Sequence, residues 1–199
     1  DIYSVSSIDD QSFLSSFKTS RKIELLPNWI ENLSKNNFED RYNNKLLAVG
    51  RLESQKNYPL LIKSFQNSDL EIDIYGDGSL RKELTELSIK YNVKTNFLGK
   101  LTYNDLKEEF QKYKIFISTS LFEGNPKSTM EAMSAGCIPI VLNIPNNREL
   151  IVNEFNGYLF EPNDNLEQLV KNVLTNIDKS FEVSKNSIDT INEKFDIEQ

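Results

Sequence analysis

The segment EGNPKSTMEAMSAG, residues 123–136, carries two glutamates just after an apolar stretch. Glu123 follows IFISTSLF directly, and Glu131 lies eight positions further on, where the pattern predicts a helix. Pro126 suits the start of that helix because its φ is fixed near the helical value. The two carboxylates can accept hydrogen bonds from a ligand, or they can be a dipole partner at the helix start and a solvent-facing helix residue.

A second stretch, GRLESQKNYP, places Arg51 and Lys56 in one short turn. Two cations beside a helix N-terminus suit an anion, because free N–H groups and the helix dipole both favour negative charge. Glycines in GDGS at 76–79 and GKLT at 99–102 would let the backbone approach a ligand closely. The alternatives stay open here, since the cations can be solvated loop charges and GDG an ordinary turn.

The sequence offers little for metal or thiol chemistry. It contains no histidine, and the carboxylates of Asp73 and Asp77 are a weak metal candidate because Asp73 alternates within a predicted strand. Cys137 is the one cysteine, which excludes an internal disulfide, and we predict that it fills space in the core.

Alternating strand and helix patterns surround these residues. Six stretches rich in β-branched or aromatic residues predict strands, at 45–49, 70–75, 93–98, 114–119, 137–142 and 157–160. Between them, stretches such as SLRKELTELSIKY place apolar residues at helical spacing. The pattern predicts an α/β fold, a Rossmann-like parallel sheet of about six strands with helices on both faces. Ligands of such sheets lie outside the carboxyl ends of the strands, where the glutamate, cation and glycine stretches all lie.

Composition narrows the class of function. The 199 residues, 38% of them hydrophobic, suffice for one fair-sized core. A net charge of −7 argues against a nucleic-acid partner bound over a broad surface, although it allows a local basic pocket. The cysteine usage and the lack of a signal-peptide pattern favour a cytoplasmic location. No apolar run approaches the roughly 20 residues that span a bilayer.

Five stretches resemble, in order and spacing, the C-terminal domain of the retaining glycosyltransferases of family 4, group 1, which have the two-Rossmann GT-B architecture. They are LLAVGRLESQKNYPLLIKSF, IYGDGSLRKEL, VKTNFLGKL, IFISTSLFEGNPKSTMEAMSAGCIPIV and RELIVNEFNGYLFEPND. LLPNWI at 25–30 is similar to the family's IPNG segment, with Trp29 where a glycine is usual. The glutamate pair, separated by seven residues, is the most specific element, while Asn125 replaces a frequent Phe or Leu.

The resemblance implies a nucleotide-diphosphate sugar as the donor, with no metal and no other cofactor. Arg51 and Lys56 match the pair that binds the diphosphate. With Glu123, which accepts hydrogen bonds from the sugar hydroxyls, they are the catalytic residues. Glu131 would bind the ribose hydroxyl pair. The other residues implied in donor binding are Gly50, Gly76, Gly78, Leu101, Gly124, Asn125, Pro126, Ser128 and Thr129.

The resemblance also divides the chain. It implies the end of an N-terminal domain and a linker at 1–40, the nucleotide-sugar-binding domain at 41–178, and a helix at 179–199 that returns to the N-terminal domain. That missing domain would bind the acceptor, a saccharide, glycolipid or protein. Transfer with retention of configuration is therefore expected of the full-length enzyme and not of this fragment alone. Association of the full-length enzyme with the inner face of a membrane is left open.

Two other classes of function stay open. One is a non-catalytic nucleotide-sugar-binding module, or a subunit of a glycosyltransferase complex. The other is a nicotinamide oxidoreductase, which would show G-x-G-x-x-G after the first strand and an acid about 20 residues on. GDGSLR follows the second predicted strand and lacks the third glycine, so this class is disfavoured.

Overall fold

The computed structural model describes residues 2–5, 22–25 and 37–195. A short two-stranded parallel sheet pairs β1 (Ile2–Val5) with β2 (Lys22–Leu25). The main sheet has six strands, all of whose neighbouring pairs are parallel. These are β3 (Tyr42–Val49), β4 (Glu71–Tyr75), β5 (Lys94–Gly99), β6 (Tyr113–Ser118), β7 (Ile138–Leu142) and β8 (Tyr158–Phe160). They lie in the order β5-β4-β3-β6-β7-β8.

Seven α-helices accompany the strands in the described residues. They are α1 (Tyr58–Ser64), α2 (Arg81–Lys90), α3 (Tyr103–Phe110), α4 (Lys127–Ser134), α5 (Pro145–Leu150), α6 (Leu166–Thr175) and α7 (Ile177–Phe195). None of the helices in the described part of the chain is both long and apolar enough to cross a membrane.

The sheet has a hydrophobic cluster on each face, as expected for parallel strands covered on both sides. Successive strand residues point to opposite faces, so Leu46 and Ile72 join one cluster while Leu47 and Phe116 join the other. The neighbouring interior strands β6 and β7 are buried along nearly their whole length. Buried β-branched and aromatic side chains therefore account for the strand pattern of the sequence.

The predicted fold is confirmed. Each of the six predicted strands is present, with boundaries displaced by at most three residues. Thr102 is the N-cap of α3, and its hydroxyl accepts a hydrogen bond from the Asp105 amide. The α5 and α6 helices were not among the predicted elements.

The C-terminal helix α7 begins at Ile177 and packs on the main sheet domain, against α4, α6 and β7. Its Ser184 hydroxyl donates to the Gly136 carbonyl, 2.6 Å away, and its Thr190 hydroxyl accepts from Asn156. The implied division at 40 and 178, and a contact between this helix and an N-terminal domain, stay predictions. Trp29 and most of the LLPNWI segment lie outside the described residues.

Candidate functional site

A cleft of 210 Å³ lies at the carboxyl ends of β3, β4 and β5. Gly50 and Arg51 reach it from the loop after β3, Gly76 from the loop after β4, and Leu101 from the loop after β5. Four residues predicted from separate stretches thus line one cleft, at the edge where ligands of such sheets bind. The remaining lining residues are Val49, Tyr75, Asp77, Lys100 and Leu106.

The two glycines of GDG allow the loops that form this cleft to pack closely together. A Cβ on Gly76 would lie 1.9 Å from the Gly50 carbonyl oxygen, and one on Gly78 would lie 2.5 Å from the Leu52 oxygen. The close approach allows the Leu52 amide to donate to the backbone carbonyl of Asp77, at 3.0 Å. It also allows the Gly76 amide to donate to the Gly99 carbonyl, at 2.7 Å. These glycines therefore act first in packing three loops together, which in turn shapes the cleft.

The loop after β3 is also bonded to the loop after β6. The Leu121 amide donates to the Gln55 carbonyl at 2.9 Å, and the Gln55 side chain donates to the Phe122 carbonyl at 2.8 Å. The Thr119 hydroxyl donates to the Lys56 carbonyl at 2.9 Å. Residues almost 70 positions apart in sequence are thereby fixed beside each other.

These bonds bring the predicted catalytic residues Lys56 and Glu123 into contact. The Lys56 Nζ lies 2.5 Å from Glu123 Oε1, and the two side chains are 16% and 12% exposed. The Lys56 side chain passes close over Gly50, where an added Cβ would meet Lys56 Cε at 2.9 Å. Arg51 is exposed at the mouth of the neighbouring cleft. The two cations of the predicted anion site therefore differ in their surroundings. Lys56 is paired with the Glu123 carboxylate, whereas Arg51 is exposed to solvent.

Tyr58 completes this cluster, and its role was missed by sequence reasoning. Its hydroxyl donates to the Gly50 carbonyl at 3.2 Å. Burial, with a smaller effect of the Glu123 carboxylate, raises the pKa of Tyr58 above its usual value, so the hydroxyl stays a donor at neutral pH. The only sequence signal was its place two residues after Lys56.

The helix predicted after Pro126 is confirmed as α4, with Pro126 as its N-cap residue. The amides of Ser128 and Thr129 belong to its first turn, where backbone N–H groups have no intrahelical acceptor. The Gly124 carbonyl accepts a hydrogen bond of 2.9 Å from the Asn146 side chain, which fixes the turn before the helix. Residues 124–131 do not line the 210 Å³ cleft, but Lys56, which pairs with Glu123, packs against Gly50 in the cleft wall.

Glu131 is buried, so the solvent-facing alternative for this residue is wrong. Its side chain is 7% exposed, and Lys127 Nζ lies 3.7 Å from its Oε1. Burial raises the pKa of the Glu131 carboxyl, while the charges of Lys127 and Lys107 act in the opposite direction. A buried carboxylate one turn inside the helix is a costly feature to maintain without a function.

Asp73 is occupied in a structural network. Its carboxylate accepts hydrogen bonds from the Tyr113 hydroxyl at 2.7 Å and the Asn96 side chain at 2.6 Å, with Lys45 at 3.6 Å. Across the described ranges, no group of three or more His, Cys, Asp or Glu residues is arranged to hold a metal. The metal alternative at Asp73 and Asp77 therefore loses its principal residue, and independence from metal stays a prediction.

Cys137 is a buried core residue, as predicted. Its Sγ donates to the Phe110 carbonyl at 3.0 Å, and burial raises the pKa of the thiol to about 12. A thiol with so high a pKa is a poor nucleophile at neutral pH.

Comparison with known proteins identifies the family of this chain. The model of the family "glycosyl transferases group 1" matches residues 30–190, most of the chain. The chain belongs to this glycosyltransferase family. The family and the shared fold confirm the resemblance to the C-terminal domain of GT-B glycosyltransferases, while retention of configuration is not tested by the match.

Two curated glycosyltransferases illustrate the relationship. The UDP-N-acetylglucosamine-peptide N-acetylglucosaminyltransferase GtfA subunit of Limosilactobacillus reuteri is 34% identical over 125 residues, which are 60% of this chain and 24% of that protein. The N-acetylgalactosamine-N,N'-diacetylbacillosaminyl-diphospho-undecaprenol 4-alpha-N-acetylgalactosaminyltransferase of Campylobacter jejuni is 30% identical over 185 residues, 88% of this chain and 50% of that protein. The chain thus spans half or less of the length of these relatives.

A solved glycosyltransferase structure shows the same fold. The pneumococcal O-GlcNAc transferase GtfA, in complex with UDP and GlcNAc, superposes with a TM-score of 0.80 at 22% identity. The superposition covers 98% of this chain and 42% of that one.

Proposed function

We propose that this chain binds the nucleotide-diphosphate sugar donor of a glycosyltransferase whose complete form transfers the sugar to a saccharide, glycolipid or protein acceptor with retention of configuration. Membership of the glycosyltransferase family supports the reaction class. The Limosilactobacillus reuteri GtfA subunit is named for UDP-N-acetylglucosamine and the pneumococcal GtfA structure contains UDP, which makes UDP the first nucleotide to test. A cytoplasmic location is part of the proposal.

The observation that carries the proposal is the convergence of the cation, glutamate and helix-start residues on one sheet edge. In the proposed site, Arg51, Lys56 and the first-turn amides of α4 bind the diphosphate. Negative charge grows on the diphosphate as its bond to the sugar breaks, and fixed positive groups stabilise that charge most in the transition state. The cations thereby supply the charge that a metal supplies in other transferases, so the proposal needs no metal.

The Lys56–Glu123 pair lies where the diphosphate meets the sugar in this proposal. Glu123 accepts hydrogen bonds from sugar hydroxyls, and the amides of Gly124 and Asn125 donate to the same sugar. The ion pair keeps the Glu123 side chain in one position before the donor arrives. Pre-positioned acceptors reduce the entropy lost when a ligand binds.

The nucleoside occupies the other two parts of the proposed site. Glu131 accepts both hydrogen bonds of the ribose diol, for which a carboxylate is suited because its two oxygens accept side by side. The base lies in the 210 Å³ cleft, where Leu101 and Leu106 provide apolar surface and Gly76 allows a close approach. The attacking acceptor hydroxyl would reach the same face of the sugar that the diphosphate leaves, through an oxocarbenium-like transition state.

A thermal-shift screen of the chain against UDP, UDP-, GDP- and ADP-sugars and NAD tests the proposal. We expect a nucleoside diphosphate or its sugar to raise the melting temperature and NAD to leave it unchanged, since a ligand stabilises the fold only by binding it. Stabilisation by NAD alone would instead support the oxidoreductase class.

A further inference from the structure

Lys127 joins the two helices that flank the proposed ribose position. It is the first residue of α4, and its Nζ lies 3.7 Å from Oε1 of Glu131, one turn further along. The same Nζ lies 5.2 Å from the ring centroid of Tyr103, the first residue of α3. Lys107 Nζ lies 4.2 Å from that ring. Lys127 thus lies beside both a buried carboxylate and an aromatic ring, and a second ammonium group, that of Lys107, contacts the same ring.

We propose that Lys127 is a positioning residue for the nucleoside, which keeps the Glu131 carboxylate ionised and directed so that both oxygens can accept from a vicinal diol. This inference rests on the proposed function, which assigns Glu131 to the ribose. Lys127 is not among the residues that the family resemblance implies in donor binding.

The chemistry of a diol requires the ionised form of the glutamate. An ionised carboxylate accepts at both oxygens, whereas a protonated carboxyl uses one oxygen as a donor and pairs poorly with two hydroxyl donors. Glu131 is 7% exposed, and burial disfavours its charged form. An adjacent cation opposes this effect of burial and favours the ionised form.

Lys127 and Lys107 are the charged groups that act on the Glu131 carboxyl within the described residues. Lys127 acts from the same helix by its charge, 3.7 Å from Glu131 Oε1, and Lys107 acts from α3 by charge. Both lower the pKa of Glu131, with Lys127 having the larger effect. Removing the charge of Lys127 must raise the pKa of the Glu131 carboxyl. As the pH falls, the ribose contact will then be lost at a higher pH than in the wild type.

The dissociation constant of UDP, measured as the pH is lowered from neutral, tests the inference because acidification protonates the Glu131 carboxylate. In Lys127→Met, we expect the acidic loss of affinity to begin at a higher pH than in the wild type, so that UDP binds more weakly than to the wild type at the same mildly acidic pH. Lys127→Arg keeps the charge and should retain the wild-type profile. Lys82→Met removes one charge from the exposed face of α2 and is the matched control, with no shift expected. Coincident limbs for Lys127→Met and wild type would overturn the inference.

A titration of the Glu131 carboxyl by ¹³C NMR in the ligand-free chain separates this inference from the proposed function. We expect a higher Glu131 pKa in Lys127→Met than in the wild type. An unchanged pKa would contradict the role of Lys127. A raised pKa with no change in the UDP profile would contradict the assignment of Glu131 to the ribose, and with it that part of the proposed function.

Discussion

Lys56 and Glu123 each compensate the charge of the other in a place where water has little access. Both side chains are largely buried, and their charged atoms are 2.5 Å apart. Lys56→Met leaves the carboxylate without its partner, so we expect the free energy of unfolding to fall by about 1–3 kcal/mol. Adding Glu123→Gln should recover part of that loss, because the unpaired charge is then removed. Denaturation in urea measures both, and strictly additive effects would show that the pair is not coupled.

The two glutamates should have separable effects on ligand binding. Glu131→Ala removes the proposed diol contact, and we expect UDP to bind more weakly by roughly 2–3 kcal/mol. Glu123→Ala should leave UDP affinity nearly unchanged and impair only discrimination between UDP-sugars, since Glu123 is assigned to the sugar. Isothermal titration calorimetry with both variants tests the division of roles. Unchanged UDP affinity in Glu131→Ala would remove that residue from the ribose site.

Diphosphate binding should depend on cationic side chains and not on a divalent ion. Arg51 is exposed beside the cleft, and the Asp73 carboxylate is engaged by Tyr113 and Asn96. UDP titrations in excess EDTA should therefore match titrations in Mg²⁺, while Arg51→Ala weakens UDP under both conditions. A large loss of affinity caused by EDTA alone would contradict this prediction and indicate that a bound metal ion contributes to UDP binding.

Among the secondary-structure elements, the site is built from loops that pack against and hydrogen-bond to one another. A Cβ on Gly76 would overlap the Gly50 carbonyl, so Gly76→Ala must separate the loops after β3 and β4. We expect it to cost about 1–3 kcal/mol of stability, as overpacking generally does, and to weaken UDP binding as well. Gly124→Ala is the matched control, because its added methyl has no heavy atom within 4 Å among the described residues. Equal stability of the two variants, measured by urea denaturation, would contradict the packing role of Gly76.

The strands were predictable and the contacts between loops were not, for a physical reason. A buried parallel strand leaves a continuous apolar run in the sequence, as in IFIS, so each strand could be located locally. The bond between Gln55 and Phe122 joins residues 67 positions apart and leaves no periodic signal. Burial of Glu131 was likewise unpredictable, because a glutamate in a short helix carries no mark of the face it occupies. The residues implied by the resemblance were brought to one edge by the fold, whereas Tyr58 and Lys127 emerged only from contacts.

Charge is distributed unevenly over the protein, which is acidic overall but has cationic side chains at the cleft. The chain carries −7 overall, yet two cations, Arg51 and Lys100, and one acid, Asp77, line the cleft, and Lys127 begins the adjacent helix. A local group of cations in an acidic protein favours a compact anion such as a diphosphate over a long nucleic acid, which the remaining surface would repel.

Hydrogen–deuterium exchange of the chain, with and without saturating UDP, tests the donor site because it maps the nucleotide onto the fold. We expect slower exchange at residues 50–57, 76–79, 99–102 and 123–131, the loops at the carboxyl edge, and little change in α6 and β8. Protection confined to another surface, such as the groove between Phe38 and Phe181, would contradict a donor site at this edge of the sheet.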